Sequence, residues 1–294
     1  MATLLDGKKI AQEIKQEIAD EVNRLKLAGK KVPHLAAIIV GNDGASLTYV
    51  ASKVKACELV GFKSTLLRLP GTTSETELLF KIKQLNEDKD IDGFIVQLPL
   101  PPQIDTQKII LAINPSKDVD GFHPENFGKM ALDMSTFIPA TPFGILELIE
   151  RYQVETQGKH TVVIGRSHIV GRPMSILMGR KGFPGNSTVT NTHSYTQNMA
   201  EITLQADIII TALGVPHYLK ADMIKEGAVV IDVGITRVLD PSSPKGYKIV
   251  GDVDFEPVSK KASCITPVPG GVGPMTIAML LKNTLLASHQ HHPF

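Results

Sequence analysis

The feature that most constrains the fold is a series of short apolar runs, each separated from the next by a segment of helical periodicity. The first half of the chain contains HLAAIIVG, STLLRLP and DGFIVQLPLP, and the second half contains TVVIG, STVTNT, ADIIITAL and AVVIDVG. Short, nearly continuous apolar strands that alternate with helices are typical of parallel sheets buried on both faces. The sequence therefore predicts an α/β fold built from two βαβ series, and no internal repeat is visible in it.

Two domains are expected, because a chain of 294 residues with 43% hydrophobic side chains can form two cores. The segment TPFGILELIE indicates a helix start between the two series. We expect a first α/β domain with a parallel sheet at residues 1–140, completed by a C-terminal helix at about 274–290. The second βαβ domain is expected at residues 141–273, with a cleft between the two.

Composition argues against several classes of partner. The formal net charge is +1, so no basic field over the whole protein indicates nucleic acid or an anionic membrane. Cys57 and Cys264 lie far apart without a CxxC or Cys/His ligand spacing, which argues against a disulfide framework and a metal site. The acid at Asp6 is unlike a signal peptide, and no apolar run is long enough to cross a bilayer. We expect a cytoplasmic protein.

The stretch TVVIGRSHIVGRPMSILM is predicted to be a strand, a glycine-bounded turn and a helix. In that context the amide groups and the dipole at the helix start attract a pyrophosphate, so the turn indicates a Rossmann-type dinucleotide-binding domain. Gly165 and Gly171 bound the turn, but Ser167 stands where the usual GxGxxG pattern has its second glycine. A purely structural tight turn is the weaker alternative.

The residues after this turn favour NADP over NAD as the cofactor. An NAD site usually places an acidic residue about 20 positions further on, where it binds the ribose 2′-hydroxyl group. No Asp or Glu occurs between Thr156 and Ala200, whereas Arg166, His193 and Ser194 are available to a 2′-phosphate. The competing interpretation is that Arg166 is a solvated loop arginine.

A second set of polar residues follows the strands of the first series. Tyr49 and Lys53 are four residues apart, so a helix after HLAAIIVG presents them on one face. Gln97 follows the run DGFIV, and Asp118 and Asp120 lie in NPSKDVDGFHPENFGKM, a segment with neither period that is predicted to be a long loop. All of these positions are expected at the carboxyl edge of the sheet, where ligands bind in open α/β folds. Taken alone, a Tyr/Lys pair is more often a packed ring beside a solvated lysine.

Ordered motifs run through almost the whole chain: YVASKVKACELVGF, DGFIVQLPLP, KDVDGFHPENFG, ATPFGILELI, VVIGRSHIVGRPMS, GAVVIDVGITRV, GDVDF and TPVPGGVGPMT. Together they resemble the bifunctional methylenetetrahydrofolate dehydrogenase/cyclohydrolase family. The resemblance implies oxidation of 5,10-methylenetetrahydrofolate with NADP, followed by addition of water to give 10-formyltetrahydrofolate. It also implies a homodimer that acts on tetrahydrofolate derivatives.

In the first domain the resemblance implies a folate site. Tyr49 would offer the face of its ring to the aminobenzoate group of the folate. Lys53 is the implied proton-transfer group of the hydrolytic step, which requires a lowered pKa near neutral pH, and Gln97 would orient it. Asp120 would accept hydrogen bonds from the amino-pyrimidine edge of the pterin, whereas Asp118 is expected to bond within its own loop.

In the second domain the resemblance implies the NADP site. Gly165, Arg166 and Ser167 would contact the phosphates, and Ser194 would meet the 2′-phosphate. Ile235, in the motif DVGI, would contact the nicotinamide side. The loop PVPGGVGP would lie beside the folate and would contribute three further substrate-binding residues: Pro269, Gly270 and Gly273.

The sequence departs from the family pattern at two places. The connection MGRKGFPGNST is longer than usual, and Ala140 and Phe143 stand where many relatives carry a cysteine and a basic residue. Two other functions are also considered. A monofunctional dehydrogenase would lack Lys53 or Gln97, and both are present. A non-catalytic dinucleotide-binding sensor would have no need for the polar residues of the first domain.

Overall fold

The computed structural model describes residues 2–243 and 246–291. The chain divides into two compact units. The first unit comprises Gln12–Ala140 and Ile277–Phe294, and the second comprises Met1–Ala11 and Thr141–Thr276. Each unit has its own sheet and its own buried core.

The described residues form short strands and mostly longer helices. In chain order the strands are β1 (Thr3–Leu4), β2 (His34–Val40), β3 (Lys63–Leu69), β4 (Gly93–Val96), β5 (His160–Ile164), β6 (Thr188–Thr192), β7 (Ile208–Thr211), β8 (Val229–Asp232), β9 (Thr236–Leu239), β10 (Tyr247–Val250) and β11 (Cys264–Ile265). The helices are α1 (Gly7–Leu27), α2 (Gly44–Val60), α3 (Glu75–Glu87), α4 (Thr106–Ala112), α5 (Pro124–Ala131), α6 (Ala140–Arg151), α7 (Gly171–Gly179), α8 (Met199–Thr203), α9 (Phe255–Ser259) and α10 (Val272–His291). Within residues 2–243 and 246–291, every helix is too short or too polar to traverse a bilayer.

The sheet described in the first unit has three parallel strands in the order β3-β2-β4. All of β2 is buried, as expected for a central strand covered on both faces. Its register pairs Ala36 with Thr65 of β3 and with Phe94 of β4. Helices α3 and α4 cover one face, where Phe94 lies fully buried in a core with Ile82 and Ile109.

The sheet described in the second unit has six parallel strands in the order β1-β11-β8-β7-β5-β6. Strand β1 forms one edge, where Thr3 pairs with Cys264 and Leu4 with Ile265. This pairing explains why residues 1–11 belong to the second unit, whereas the sequence analysis placed them in the first domain. Strands β9 and β10 form a separate antiparallel pair.

The segment predicted to be a long loop contains a helix, so that prediction is wrong. Pro115–Lys117 forms a 3-10 turn, and α5 follows it. Nδ1 of His123 accepts a hydrogen bond from the amide of Glu125 at 3.1 Å, and Pro124 occupies the first turn. Histidine is not one of the usual capping residues, and a helix of eight residues is too short to show a clear hydrophobic period.

A polar cluster, here called the first amino-edge clamp, joins the strands of the first sheet at one end. The amide of His34 donates to Oδ2 of Asp92 at 2.8 Å, and Nζ of Lys31 lies 2.6 Å from the same carboxylate. The ring of His34 contacts Asp90 through Nδ1 at 3.0 Å and Thr65 through Nε2 at 2.9 Å. Because these residues come from the ends of β2 and β4 and from β3, the clamp joins all three strands.

The second sheet carries a similar arrangement, here called the second amino-edge clamp. The amide of His160, at the start of β5, donates to Oδ2 of Asp207 at 2.7 Å. Nζ of Lys225 lies 2.6 Å from Asp207, and Nε2 of His160 contacts Thr190 of β6 at 2.9 Å. The order β6-β5-β7 also matches β3-β2-β4. The two units therefore share a structural repeat. Only a few matching residues, such as the His, Asp, Thr and Lys of the two clamps, are of the same type.

Candidate active site

Lys53 is 5% exposed on α2, so its amino group is removed from water. The helix begins after Asp43, whose carboxylate caps the first turn. Nζ of Lys53 donates to Oε1 of Gln97 at 3.3 Å and lies 4.5 Å from the ring centroid of Tyr49. The structure therefore brings together three of the residues that the sequence singled out.

Gln97 is fixed by its own hydrogen bonds. It directly follows β4, and its amide donates to the carbonyl of Ile38 on β2 at 2.9 Å. Its side-chain Nε2 donates to the carbonyl of Leu98 at 2.7 Å. Because the side-chain nitrogen Nε2 of Gln97 donates to Leu98, the side-chain oxygen Oε1 faces Lys53 and accepts its hydrogen bond.

Burial of Lys53 favours its neutral form, and a neighbouring charge opposes this effect. Burial lowers the pKa of Lys53, and the nearby Asp120 carboxylate opposes that shift. Burial raises the pKa of Asp120, and the charge of Lys53 opposes that shift in turn. Burial also raises the pKa of Cys57 to about 12, so this thiol is uncharged near neutral pH. A lysine with a lowered pKa can accept a proton from water.

Asp118 and Asp120 have different environments, although they are two residues apart. Asp118 is 2% exposed and accepts hydrogen bonds from the amide of His123 at 2.7 Å and from Nδ2 of Asn126 at 3.0 Å. It therefore bonds locally as expected, but to an amide five residues on rather than in an Asx turn. Burial raises the pKa of Asp118 to about 6. Asp120 is mostly buried with a small exposed part, and none of the described residues donates a hydrogen bond to it.

The predicted phosphate turn connects β5 to α7. Gly165 has a φ of +123°, and a Cβ there would lie 2.5 Å from the carbonyl oxygen of Ala212. A Cβ at Gly171 would collide with the carbonyl of Gly165. Oγ of Ser167 accepts weak hydrogen bonds from the amides of Val170 and Gly171 at 3.2 and 3.4 Å. The hydroxyl proton of Ser167 remains able to donate to a phosphate oxygen.

Arg166 and Ser194 are exposed residues of the second unit. Cζ of Arg166 lies 5.8 Å from the ring centroid of Tyr195, which follows Ser194 directly. The ring of Tyr195 also forms an edge contact with His193 at 6.3 Å between centroids. The arginine predicted to meet a 2′-phosphate therefore lies beside the segment that carries the predicted serine.

Ile235 follows β8 and is 61% exposed. It lines a cavity of about 190 Å³ with Gly234, Pro269, Gly270 and Gly273. A Cβ at Gly273 would lie 3.3 Å from Cδ1 of Ile235, so the loop packs closely against this side chain. The predicted nicotinamide contact and three predicted folate contacts therefore share one cavity in the second unit, whereas the other predicted folate residues belong to the first unit.

Sequence reasoning missed Tyr195, Asp232 and Asp252. The signal for Tyr195 was an aromatic residue directly after the predicted serine. Asp232 and Asp252 are 3% and 0% exposed, and the signal was an acid at the end of an apolar run in VVIDVG and again in GDVDF. Within the described ranges, no group of three or more His, Cys, Asp or Glu side chains is arranged to hold a metal ion.

Two family models match this chain. The model described as "Tetrahydrofolate dehydrogenase/cyclohydrolase, catalytic domain" matches residues 5–120. The model described as "Tetrahydrofolate dehydrogenase/cyclohydrolase, NAD(P)-binding domain" matches residues 139–292. The two matches follow each other along the chain and together cover most of it.

Curated proteins and solved structures give the same result. The chain is 81% identical to the Bifunctional protein FolD of Flavobacterium psychrophilum over 98% of each chain. It is 48% identical, with a TM-score of 0.93 over 99% of each chain, to the crystal structure of a bifunctional FolD methylenetetrahydrofolate dehydrogenase/cyclohydrolase from Campylobacter jejuni. A Trypanosoma brucei N5,N10-methylenetetrahydrofolate dehydrogenase-cyclohydrolase in complex with NADP and an inhibitor is 39% identical, with a TM-score of 0.94 over 100% of this chain and 99% of that one.

Proposed function

The chain belongs to the tetrahydrofolate dehydrogenase/cyclohydrolase family, and we propose how its residues divide the two activities. It is an NADP-dependent methylenetetrahydrofolate dehydrogenase and a methenyltetrahydrofolate cyclohydrolase. The first unit supplies the proton-transfer group of hydrolysis, and the second unit holds the cofactor. The observation that carries this division is the buried Lys53, hydrogen-bonded to Gln97 and lying over the ring of Tyr49.

The second unit fits NADP in shape and in charge. The glycines allow the tight backbone packing of the turn, and the pyrophosphate binds at the start of α7, where amide groups and the helix dipole favour an anion. Arg166 and Ser194 bind the 2′-phosphate, Gly165 and Ser167 contact the diphosphate, and Ile235 contacts the nicotinamide end. When bound, NADP supplies the hydride acceptor for the oxidation. The protein contributes mainly by holding the reactants in position.

In the hydrolytic step, a water oxygen forms a bond to the methenyl carbon while the neutral amine of Lys53 accepts a proton from that water. The bond between this carbon and N5 then breaks, and Lys53 returns the proton to N5. The remaining hydroxyl proton goes to solvent as the formyl group forms on N10. Gln97 holds Nζ of Lys53 in one place, which keeps the amine aimed at the reacting carbon.

Both units carry proposed folate-binding residues. The ring of Tyr49 contacts the aminobenzoate group, and the free carboxylate of Asp120 accepts hydrogen bonds from the amino-pyrimidine edge of the pterin. Pro269, Gly270 and Gly273 provide a wall without long side chains, on which a flat ligand can lie. Because Asp120 lies close enough to raise the pKa of Lys53, binding of the pterin and proton transfer are electrostatically linked.

The enzyme acts in the cytoplasm as a homodimer. The family resemblance supports the dimer, and the two free cysteines, Cys57 and Cys264, fit a reducing compartment. Sedimentation of the purified protein tests the oligomeric state. A monomer at micromolar concentration would contradict it.

Replacement of Lys53 by Met tests the division of roles, because it removes the base and keeps a long side chain. Hydrolysis of supplied methenyltetrahydrofolate is expected to fall roughly 10²- to 10⁴-fold. Reduction of NADP by methylenetetrahydrofolate is expected to fall by less than about tenfold. Lys117→Met is the matched control, since Lys117 is another buried lysine of the first unit, 7% exposed, whose Nζ donates to backbone carbonyls. It should preserve the ratio of the two activities.

The outcomes separate the competing functions. Equal loss of both activities in Lys53→Met would contradict the assignment of Lys53 to hydrolysis alone. Methenyl product that accumulates and decays only at its uncatalysed rate in the native enzyme would indicate a monofunctional dehydrogenase. Absence of any reduced cofactor would favour the non-catalytic sensor.

A further inference from the structure

Asp232 lies at the end of β8, is 3% exposed and accepts four hydrogen bonds. Its Oδ1 accepts from the amide of Gly234 at 2.9 Å, from the amide of Asp252 at 3.0 Å and from the hydroxyl of Thr211 at 3.3 Å. Its Oδ2 accepts from the amide of Val253 at 2.9 Å. One carboxylate therefore joins the ends of β7 and β8 to the segment after β10.

Asp252 is fully buried and accepts three more hydrogen bonds from a different loop. Its Oδ2 accepts from the amides of Leu213 and Gly214 at 2.6 and 3.2 Å, and its Oδ1 accepts from the amide of Val215 at 2.9 Å. Asp232 and Asp252 are linked through the amide of Asp252. Within the described residues, neither carboxylate forms an ion pair, so hydrogen bonds from backbone amides provide most of the stabilisation of the two carboxylates.

The loops that these two carboxylates hold lie at the carboxyl edge of the second sheet, where ligands bind in such folds. Residues 213–215 follow β7, and residues 233–235 follow β8. A Cβ at Gly234 would collide with Oδ1 of Asp252, and a Cβ at Gly251 would collide with Oδ2 of Asp232. The backbone of loop 233–235 and that of the segment after β10 therefore pack directly against the carboxylates.

The same cluster reaches the loop on the other side of the Ile235 cavity. Oγ1 of Thr266 accepts a hydrogen bond from the amide of Asp232 at 2.7 Å, directly before the loop that carries Pro269 and Gly270. Both walls of the 190 Å³ cavity are therefore connected to Asp232. Asp232 is itself among the residues that line this cavity, whereas Asp252 is not and affects its shape only through the segments that it holds.

We propose that Asp232 and Asp252 are positioning residues for hydride transfer: they hold loops 213–215 and 233–235 so that Ile235 and its neighbours fix the nicotinamide end of NADP. The proposal rests on the proposed function, in which Ile235 contacts that end. The residues act chiefly on the dehydrogenase activity, because neither loop carries a proposed folate contact and the proton-transfer group of hydrolysis, Lys53, belongs to the first unit.

Asp252→Asn is the variant that tests the proposal, because it places an amide NH₂ group against backbone N–H donors and loosens loop 213–215. The kcat of NADP reduction is expected to fall roughly 10- to 100-fold, as for a misplacement of about 1 Å. The KM for NADP should change by less than about threefold, since the phosphates bind elsewhere. Hydrolysis of supplied methenyltetrahydrofolate should remain within about twofold of the native rate.

A second readout does not depend on catalysis. Amide hydrogen exchange of the enzyme without ligands is expected to be faster at residues 213–215 and 233–235 in Asp252→Asn. The matched control is Asp207→Asn in the second amino-edge clamp, at the opposite edge of the same sheet, where a carboxylate also accepts a backbone amide. The control should change neither these loops nor the ratio of the two activities. Thr211→Val removes a single donor to Asp232 and serves as a milder variant if Asp252→Asn does not fold.

The result that would overturn the proposal is unchanged exchange in both loops, or equal loss of both activities in the variant. The proposed function is tested separately by the native enzyme, since failure of the native protein to reduce NADP concerns the activity and not the two carboxylates. Faster loop exchange together with a selective fall in kcat supports the positioning role.

Discussion

The two amino-edge clamps have similar geometry but differ in burial, which predicts different costs when each carboxylate is removed. Asp92 is fully buried and its partner Lys31 is 22% exposed. Asp207 is 34% exposed and its partner Lys225 is 37% exposed. Substitution of Asp92 or Asp207 by Ala breaks a matching amide contact and a matching lysine contact in two different dielectric environments, so the comparison reports mainly on burial.

The expected magnitudes follow from these exposures. Removing one partner of a buried ion pair typically lowers the free energy of unfolding by about 3–5 kcal/mol. The loss is smaller here, because the partly exposed amino group of Lys31 can be hydrated after Asp92 is removed. The amide of His34, left without its acceptor, adds roughly 1–3 kcal/mol. We therefore expect Asp92→Ala to lower the opening free energy of the first sheet by about 4 kcal/mol. For Asp207→Ala we expect about 1–2 kcal/mol, because solvated pairs contribute little and the amide of His160 lies nearer to water.

Hydrogen exchange followed by mass spectrometry is the suitable assay, because it reports on each unit separately. A loss of about 4 kcal/mol corresponds to roughly a thousandfold faster exchange in β2, β3 and β4 when exchange occurs through opening. Strands β5, β6 and β7 should accelerate by only about tenfold in Asp207→Ala. Asp92→Asn is the control for shape, since it keeps one acceptor and removes the charge.

Equal losses of opening free energy in Asp92→Ala and Asp207→Ala would contradict this prediction, because burial of the carboxylate would then not determine the size of the loss. A larger effect of Asp207→Ala would refute it more strongly. If Asp92→Asn lowered the opening free energy of the first sheet as much as Asp92→Ala, loss of the charge would account for the effect, rather than loss of the acceptor for the His34 amide.

Two further predictions concern the site. Arg166→Ala is expected to raise the KM for NADP about tenfold or more, since a hydrogen bond to a charged group contributes roughly 1.5–3 kcal/mol. The KM for NAD should change much less. An unchanged ratio of the two KM values would contradict the 2′-phosphate assignment. Asp120→Asn removes a charge that raises the pKa of Lys53. Because the base must be neutral, hydrolysis increases as pH rises through that pKa, so the acidic limb of kcat/KM should move to lower pH in the variant. An unmoved limb would mean that Lys53 is not the titrating group.

Much of the fold was predictable because the apolar strands repeat a simple pattern. Each of the seven apolar runs contains a strand, from β2 to β8. The two-residue strands β1 and β11 could not be predicted, since such short strands have no period and depend on their partners. Contacts with distant segments determine these two strands. Helix α5 was missed for a different reason, since His123, which is not a usual capping residue, sets its start through a local hydrogen bond.

The candidate site was predictable in its residue types but not in its supporting contacts. Tyr49, Lys53 and Gln97 were found because the carboxyl edge of a parallel sheet brings such positions together. Asp232 and Asp252 were not found, since nothing in the sequence shows that their seven hydrogen bonds come from three separate segments. An acid at a strand end looks the same whether it binds a ligand or its own backbone.

Lys53 and Lys117 show how contacts rather than residue type decide a role. Both are buried lysines of the first unit, and burial lowers the pKa of each. Nζ of Lys117 donates to the carbonyls of Leu85 and Asp88, near the end of α3, where the helix dipole and unpaired carbonyls favour a cation. Nζ of Lys53 has a single acceptor, Gln97, among the hydrogen bonds described. A lysine held by carbonyls at a helix end is best kept protonated, whereas one held by a single amide can lose its proton and accept another from water.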